Sequence, residues 1–206
     1  MRLILILAAA ILCSCVTVNT NVTRFHTLPP KGNGETFYVE APPHVGPLES
    51  ASHAAQISAG FQQYGWRPSG TESDYKVMFD YSIGEGQTTS GVVPIIGQTG
   101  GGTTFHTGTF NSYGSGGSSF GSVSGTSYSA PTYGTVGAIP YTTTTYTRNL
   151  AMVVINKSGQ NVLEAKAKSV GTIGDINGVL PIMIKSVFSE FPGVSGKTKM
   201  YSKPLR

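Results

Sequence analysis

Apolar and polar residues alternate cleanly from Asp74 to Ile83. Tyr75, Val77, Phe79, Tyr81 and Ile83 fall on one face; Lys76, Met78, Asp80 and Ser82 fall on the other. A period of two predicts a half-buried strand. The same pattern predicts shorter strands over Val16–Val22 and Thr36–Glu40, separated by a turn-rich stretch holding Pro29, Pro30, Gly32 and Gly34. From Arg148 to Ile155 both parities are apolar, which predicts a strand central in its sheet. Lys157-Ser158-Gly159-Gln160 then turns the chain into Val162–Val170, where Leu163, Ala165 and Ala167 face inward and Glu164, Lys166 and Lys168 face water.

Helical spacing replaces alternation in two places. Ala54, Ile57, Phe61 and Tyr64 line one face of a helix over Ser50–Tyr64, with Gly65 placed as a left-handed stop and Trp66 folding back on the last turn. Leu180, Met183, Val187 and Phe191 line a second helix, over Val179–Phe191 and ended by Pro192 and Gly193. Proline costs little only in a first turn, so Pro181 predicts a start near Asn177 or Gly178. The element order predicts an α+β fold: a mainly antiparallel sheet with two helices packed on one face.

Between the strands lies a long insertion, residues 86–147, without one Asp, Glu, Lys or Arg and rich in Gly, Ser, Thr and Tyr. It offers too little apolar surface to offset its ordering entropy, so a long hairpin with a largely disordered tip is expected. The organisation is then residues 1–14 as a signal peptide, 15–85 with 148–206 as one α+β domain, and 86–147 as the insertion.

The N-terminus carries the clearest functional signal. Met1-Arg2 is followed by an apolar run from Leu3 to Cys13, too short for a bilayer core, which needs about 20 residues in a helix. The run ends in Leu12-Cys13-Ser14-Cys15, which resembles the bacterial lipobox. The resemblance implies cleavage between Ser14 and Cys15, and lipid on the Cys15 thiol. The mature chain then holds no second Cys, so no disulfide can form. Several acyl chains hold a protein stably where one does not. Val16 stands where, in enterobacterial lipoproteins, an Asp favours the inner membrane; its identity points to the outer membrane, facing the periplasm.

The formal charge is +4 at pH 7, lowered by one when Arg2 leaves with the signal. The basic residues are scattered, and Lys197, Lys199, Lys203 and Arg206 are expected in a solvated tail. A nucleic-acid reader shows a denser basic patch, so nucleic acid is not expected as a partner.

Catalytic patterns are missing. His26, His44, His53 and His106 lack the short spacings of metal ligands, so neither a metal nor another cofactor is expected. Gly100-Gly101-Gly102 lacks the Lys-Ser/Thr of a phosphate loop, and Gly121-Ser122-Val123-Ser124-Gly125 has its serines in the wrong places for a nucleophile elbow. Asp74 and Asp80 read as two solvated surface charges rather than an acid–base pair, and His53 as an exposed helix residue. Catalytic residues are therefore expected to be none.

The lipobox, Thr36-Phe37-Tyr38-Val39, the helix end Tyr64-Gly65-Trp66, Ser73-Asp74-Tyr75-Lys76-Val77, Asn149-Leu150-Ala151-Met152-Val153-Val154 and Val187-Phe188-Ser189-Glu190-Phe191-Pro192 follow one another in order. Together they resemble a family of bacterial envelope lipoproteins classed only as a domain of unknown function. The resemblance implies location and fold over residues 16–192 and supplies no catalytic residues. The expected function is a membrane-anchored, non-enzymatic binding or scaffolding role toward another envelope protein or a cell-wall polymer. Phe105, Phe110, Tyr113, Phe120, Tyr128 and Tyr133 are the candidate partner contacts. The alternative is a surface structural or adhesive protein that self-associates through its arm.

Overall fold

In a computed structural model of the chain, the described residues are 16–205. Cys15 and Ser14, the expected lipidation and cleavage positions, lie outside them. Two compact units are distinguished: one runs up to Thr88 and resumes at Thr144, the other is Thr89–Thr143.

The first unit opens with β1 (Thr17–His26) and β2 (Thr36–Glu40), continues through helix α1 (Pro47–Tyr64), the two-residue β3 (Arg67–Pro68) and β4 (Tyr75–Ile83), and enters β5 (Gln87–Gly114). After the second unit come the end of β6 (Gly117–Asn156), then β7 (Asn161–Gly171), helix α2 (Ile176–Val187) and β8 (Thr198–Pro204). The strand order is β3-β2-β4-β6-β7-β1-β8, with β5 against β6. Among the described residues no helix is long and apolar enough to cross a membrane.

This sheet is mixed, which corrects the expectation of a mainly antiparallel one. β2 runs parallel to both β3 and β4, while β4–β6, β6–β7, β7–β1 and β1–β8 are antiparallel. The cause is the crossover helix. A chain that leaves β2, returns along α1 and re-enters the sheet must run in the direction of β2 again.

One face of the sheet holds the core. Val18 and Val22 of β1, Val77 and Phe79 of β4, Leu150, Met152 and Val154 of β6, and Leu163, Ala165 and Ala167 of β7 are buried together with Ile57 and Phe61 of α1 and Leu180 and Met183 of α2. Phe79 lies opposite Met152, and Val77 opposite Val154, so the two parities read from the sequence meet in one layer. An aromatic cluster closes the core at the end of α1: Trp66 stacks on Tyr75 at 4.4 Å and on Phe61 at 5.0 Å between ring centroids. Gly65 takes φ 115° there, and a β-carbon would meet the Gly32 carbonyl at 2.8 Å. Glycine is required on both counts. The Tyr64 hydroxyl donates to the Pro29 carbonyl at 2.5 Å, and burial pushes that phenol up to about 12.

Three local expectations are revised. Helix α1 starts at Pro47, a favoured first helical residue, rather than at Ser50. Asp175 caps α2, its carboxylate accepting from the Asn177 and Gly178 amides, so the helix begins at Ile176 and Pro181 sits beyond the first turn. The basic C-terminus is no solvated tail: Thr198–Pro204 pairs with β1, and Lys199 meets Glu190 at 2.7 Å. Its lysines suit an edge strand, where charge blocks further pairing.

The second unit is a two-stranded ribbon, since Thr89–Thr143 holds only parts of β5 and β6. Where a largely disordered tip was expected, strand continues to Gly114 and resumes at Gly117. Its composition suits cross-strand pairing. Tyr141 lies over Gly91 and Phe110 over Gly121, each ring filling the space a side chain would need. Ser90 and Thr142 meet at 3.3 Å, Thr99 and Thr132 at 3.4 Å, through their hydroxyls.

Candidate functional site

Two arginines on the core face of the sheet are almost completely buried, and their surroundings differ in kind. Arg24, in β1, is 5 % exposed and shares the inward parity of Val18 and Val22. Its guanidinium donates to the carbonyls of Ser189 at 2.8 Å, Pro192 at 2.9 Å and Glu190 at 3.2 Å, and to the Tyr201 hydroxyl at 3.2 Å. The Phe191 and Tyr201 rings lie 5.9 Å from its central carbon. Arg24 thus fastens the turn after α2, where Glu190 holds an uncommon left-handed φ of 54°. Both of its Nη groups are committed to structure.

Arg148, in β6, is 2 % exposed, and its Nε and Nη1 are buried with no partner among the described residues. Burial pulls its guanidinium down from the ordinary arginine range, yet an arginine in a protein keeps its charge. The next residues across the sheet are also unsatisfied. Ser169 of β7 stands opposite Arg148, and Thr20 of β1 opposite Ser169; both hydroxyls are buried without a partner. Neighbouring groups that could compensate a charge normally do so. Arg148 and Ser169 line a cavity of about 220 Å³ with Val16, Thr17, Val18, Thr172 and Ile173.

His53 corrects a further expectation. It is buried, not exposed, on the stripe of α1 that contains Ser50, Ile57 and Phe61. Neither ring nitrogen has a partner among the described residues, and the ring meets Tyr81 edge-on at 5.4 Å. The Tyr81 hydroxyl donates to Glu49 at 2.6 Å; burial, then that carboxylate, push the phenol above its usual range.

The carboxylates are not brought together. Asp74 accepts from the Thr36 amide at 2.9 Å, the Thr36 hydroxyl at 2.7 Å and Lys157 at 3.0 Å, which holds it well below the usual carboxylate range. Asp80 meets His44 at 3.2 Å on the surface. Among the described residues no cluster of His, Cys, Asp and Glu could hold a metal ion.

Of the candidate partner contacts, Phe105, Phe110, Tyr113, Phe120, Tyr128 and Tyr133 all lie in the ribbon unit and are 55 to 83 % exposed. Val92, Val93, Ile95, Ile96, Val136 and Ile139 of the same unit are exposed as well. The sequence reading missed Arg148 and Arg24. Strand parity was the available signal: Arg148 shares that of Leu150, Met152 and Val154.

The family described as "Domain of unknown function (DUF4136)" matches residues 20–193. No curated protein matches the sequence. Among solved structures, a PDZ domain protein from Parabacteroides distasonis is 11% identical, covering 95% of this chain and 41% of that one, with a TM-score of 0.41. The lysenin pore is 10% identical, covering 92% and 49%, with a TM-score of 0.12. The chain spans less than half the length of either, and both likenesses are too distant to define a shared fold.

Proposed function

We propose, for a chain that belongs to the DUF4136 family of domains of unknown function, a lipid-anchored envelope role exercised by binding rather than by catalysis. The anchor is Cys15, after cleavage behind Ser14, which the lipobox-like Leu12-Cys13-Ser14-Cys15 supports; the location is the periplasmic face of the outer membrane, which Val16 in place of an Asp supports. The observation that carries the binding role is the uncharged ribbon with its exposed aromatic side chains. Tyr and Phe bring large contact area with few rotatable bonds, which makes them effective anchors for a partner protein or polymer.

A second reading has its own observation. Within Thr89–Thr143 each strand pairs only with the other, because β6 meets β4 and β7 through residues 146–156. Both outer edges therefore carry unpaired backbone groups, and no charged side chain guards them. Such edges favour self-association of an adhesive or structural kind.

Two measurements test these readings. Labelled palmitate should enter the wild type and not Cys15→Ser; equal labelling of both removes the anchor. Photo-crosslinking residues placed at Phe105, Phe110, Tyr113, Phe120, Tyr128 and Tyr133 in intact cells should yield one defined heterologous adduct. A ladder of self-adducts selects the adhesive reading, and no adduct at any of the six positions rejects both.

A further inference from the structure

We infer that the cavity beneath Arg148 is a binding site for a single small oxyanion, of the phosphate-ester or carboxylate type. A guanidinium that is 2 % exposed, keeps its charge and has no carboxylate partner among the described residues leaves a positive centre uncompensated inside the fold. The contrast with Arg24 is internal to the molecule: the other buried arginine directs both Nη1 and Nη2 to carbonyls and a phenol. At Arg148 the residue opposite in the sheet, Ser169, also lines the cavity, and its buried hydroxyl has no partner among the described residues. Thr17 and Thr172 are also among the lining residues.

Size and charge set the ligand class. A cavity of about 220 Å³ holds on the order of seven waters at their liquid volume, room for a phosphate or a short carboxylate but not for an acyl chain. One guanidinium and no second cation in the lining match one anionic group. The planar fork of the guanidinium suits two oxygens at once. Gly171 keeps the site open, since a β-carbon there would lie 2.6 Å from Arg148 Nη2.

The source of the oxyanion follows from the lining. Val16 forms part of the wall and is the residue after Cys15. On the anchoring proposed above, the cavity therefore opens one residue from the membrane surface, where phospholipid headgroups present phosphodiesters. A soluble phosphate ester or carboxylate would use the same chemistry, and the two sources are separable.

The test uses the mature chain in dodecyl maltoside, with inorganic phosphate as the probe and chloride at matched ionic strength as the control. Phosphate should shift the ¹⁵Nε–¹H resonance of Arg148 saturably, with a dissociation constant in the millimolar range or tighter, and should raise the melting temperature. Arg148→Met should abolish the thermal effect, Gly171→Ala should weaken it at least tenfold, and Arg24 signals should not move. Micelles doped with phosphatidylglycerol then separate the sources: saturation of the Arg148 shift by doped micelles alone assigns the headgroup. A shift with free phosphate but not with the lipid supports the site and assigns a soluble ligand. An Arg148 resonance unmoved by phosphate, acetate and doped micelles overturns the inference, even if Arg148→Met does not fold. Mass spectrometry of the same preparation reports lipid on Cys15 independently, so loss of the anchor and loss of the anion site are distinguishable.

Discussion

Arginine-to-methionine substitution at positions 24 and 148 should move stability in opposite directions. Methionine fills a similar volume without the charge, so each variant isolates what the guanidinium does. At Arg24 the carbonyls of Ser189, Glu190 and Pro192 lose their donor. A stranded buried acceptor costs about 1–3 kcal/mol; the Pro192 bond is buried and the other two are partly so, which brings the expected loss to roughly 3–5 kcal/mol. For a chain of this size that is a fall in melting temperature on the order of 10 °C. At Arg148 the buried Nε and Nη1 have no partner to lose among the described residues. Removing an uncompensated buried charge recovers its desolvation cost, and replacement of buried ionic groups by apolar ones is neutral to stabilising by about 1–4 kcal/mol. Urea unfolding followed by circular dichroism, in buffer without phosphate, reads both. A bound oxyanion narrows the gap at position 148 by about 2.7 kcal/mol at a hundred times its dissociation constant. If Arg148→Met loses as much stability as Arg24→Met in anion-free buffer, Arg148 is already compensated inside the protein and the reasoning fails.

Two further outcomes are expected. Because Thr36 and Lys157 lower the Asp74 carboxyl in the folded state, its contribution is present above the unfolded carboxylate value of about 3.9 and lost as pH falls through the lower folded value; Asp74→Asn should flatten the acid limb of a melting-temperature profile between pH 5 and pH 2, and an unchanged limb would contradict the tie between β2 and β4. Replacing Thr99–Thr135 by a short Gly-Ser linker should leave the melting of the first unit nearly unchanged, since a two-stranded ribbon is marginal by itself and loop closure changes by about 0.6 kcal/mol per doubling of length; limited proteolysis of the intact chain should cut between Gly100 and Gly134, and unfolding of the shortened chain would place the ribbon in the core.

Much of the first unit was legible from residue order alone, because its signals are local. Alternation along Tyr75–Ile83 needs only a pleated backbone with one dry face, and Gly65 stops α1 because a β-carbon there is excluded. The ribbon's Gly, Thr and Tyr residues announced an uncharged hairpin, though not that its strands run on to Gly114 and Gly117. Alternation names the buried face of a strand without naming the neighbour, so parallel β2–β4 pairing came only with the path of α1, and β8 only with the open edge of β1. His53 was misjudged because the buried stripe of α1 includes it beside Ile57, and a reading built on apolar residues passes over a polar one on the same face. Arg148 went unremarked for the same reason. Whether a buried polar group is a clamp or an open site depends on what stands opposite it in three dimensions. Arg24 meets carbonyls 165 to 168 residues later in the chain, whereas Arg148 meets a cavity, and no pattern along the sequence carries that difference.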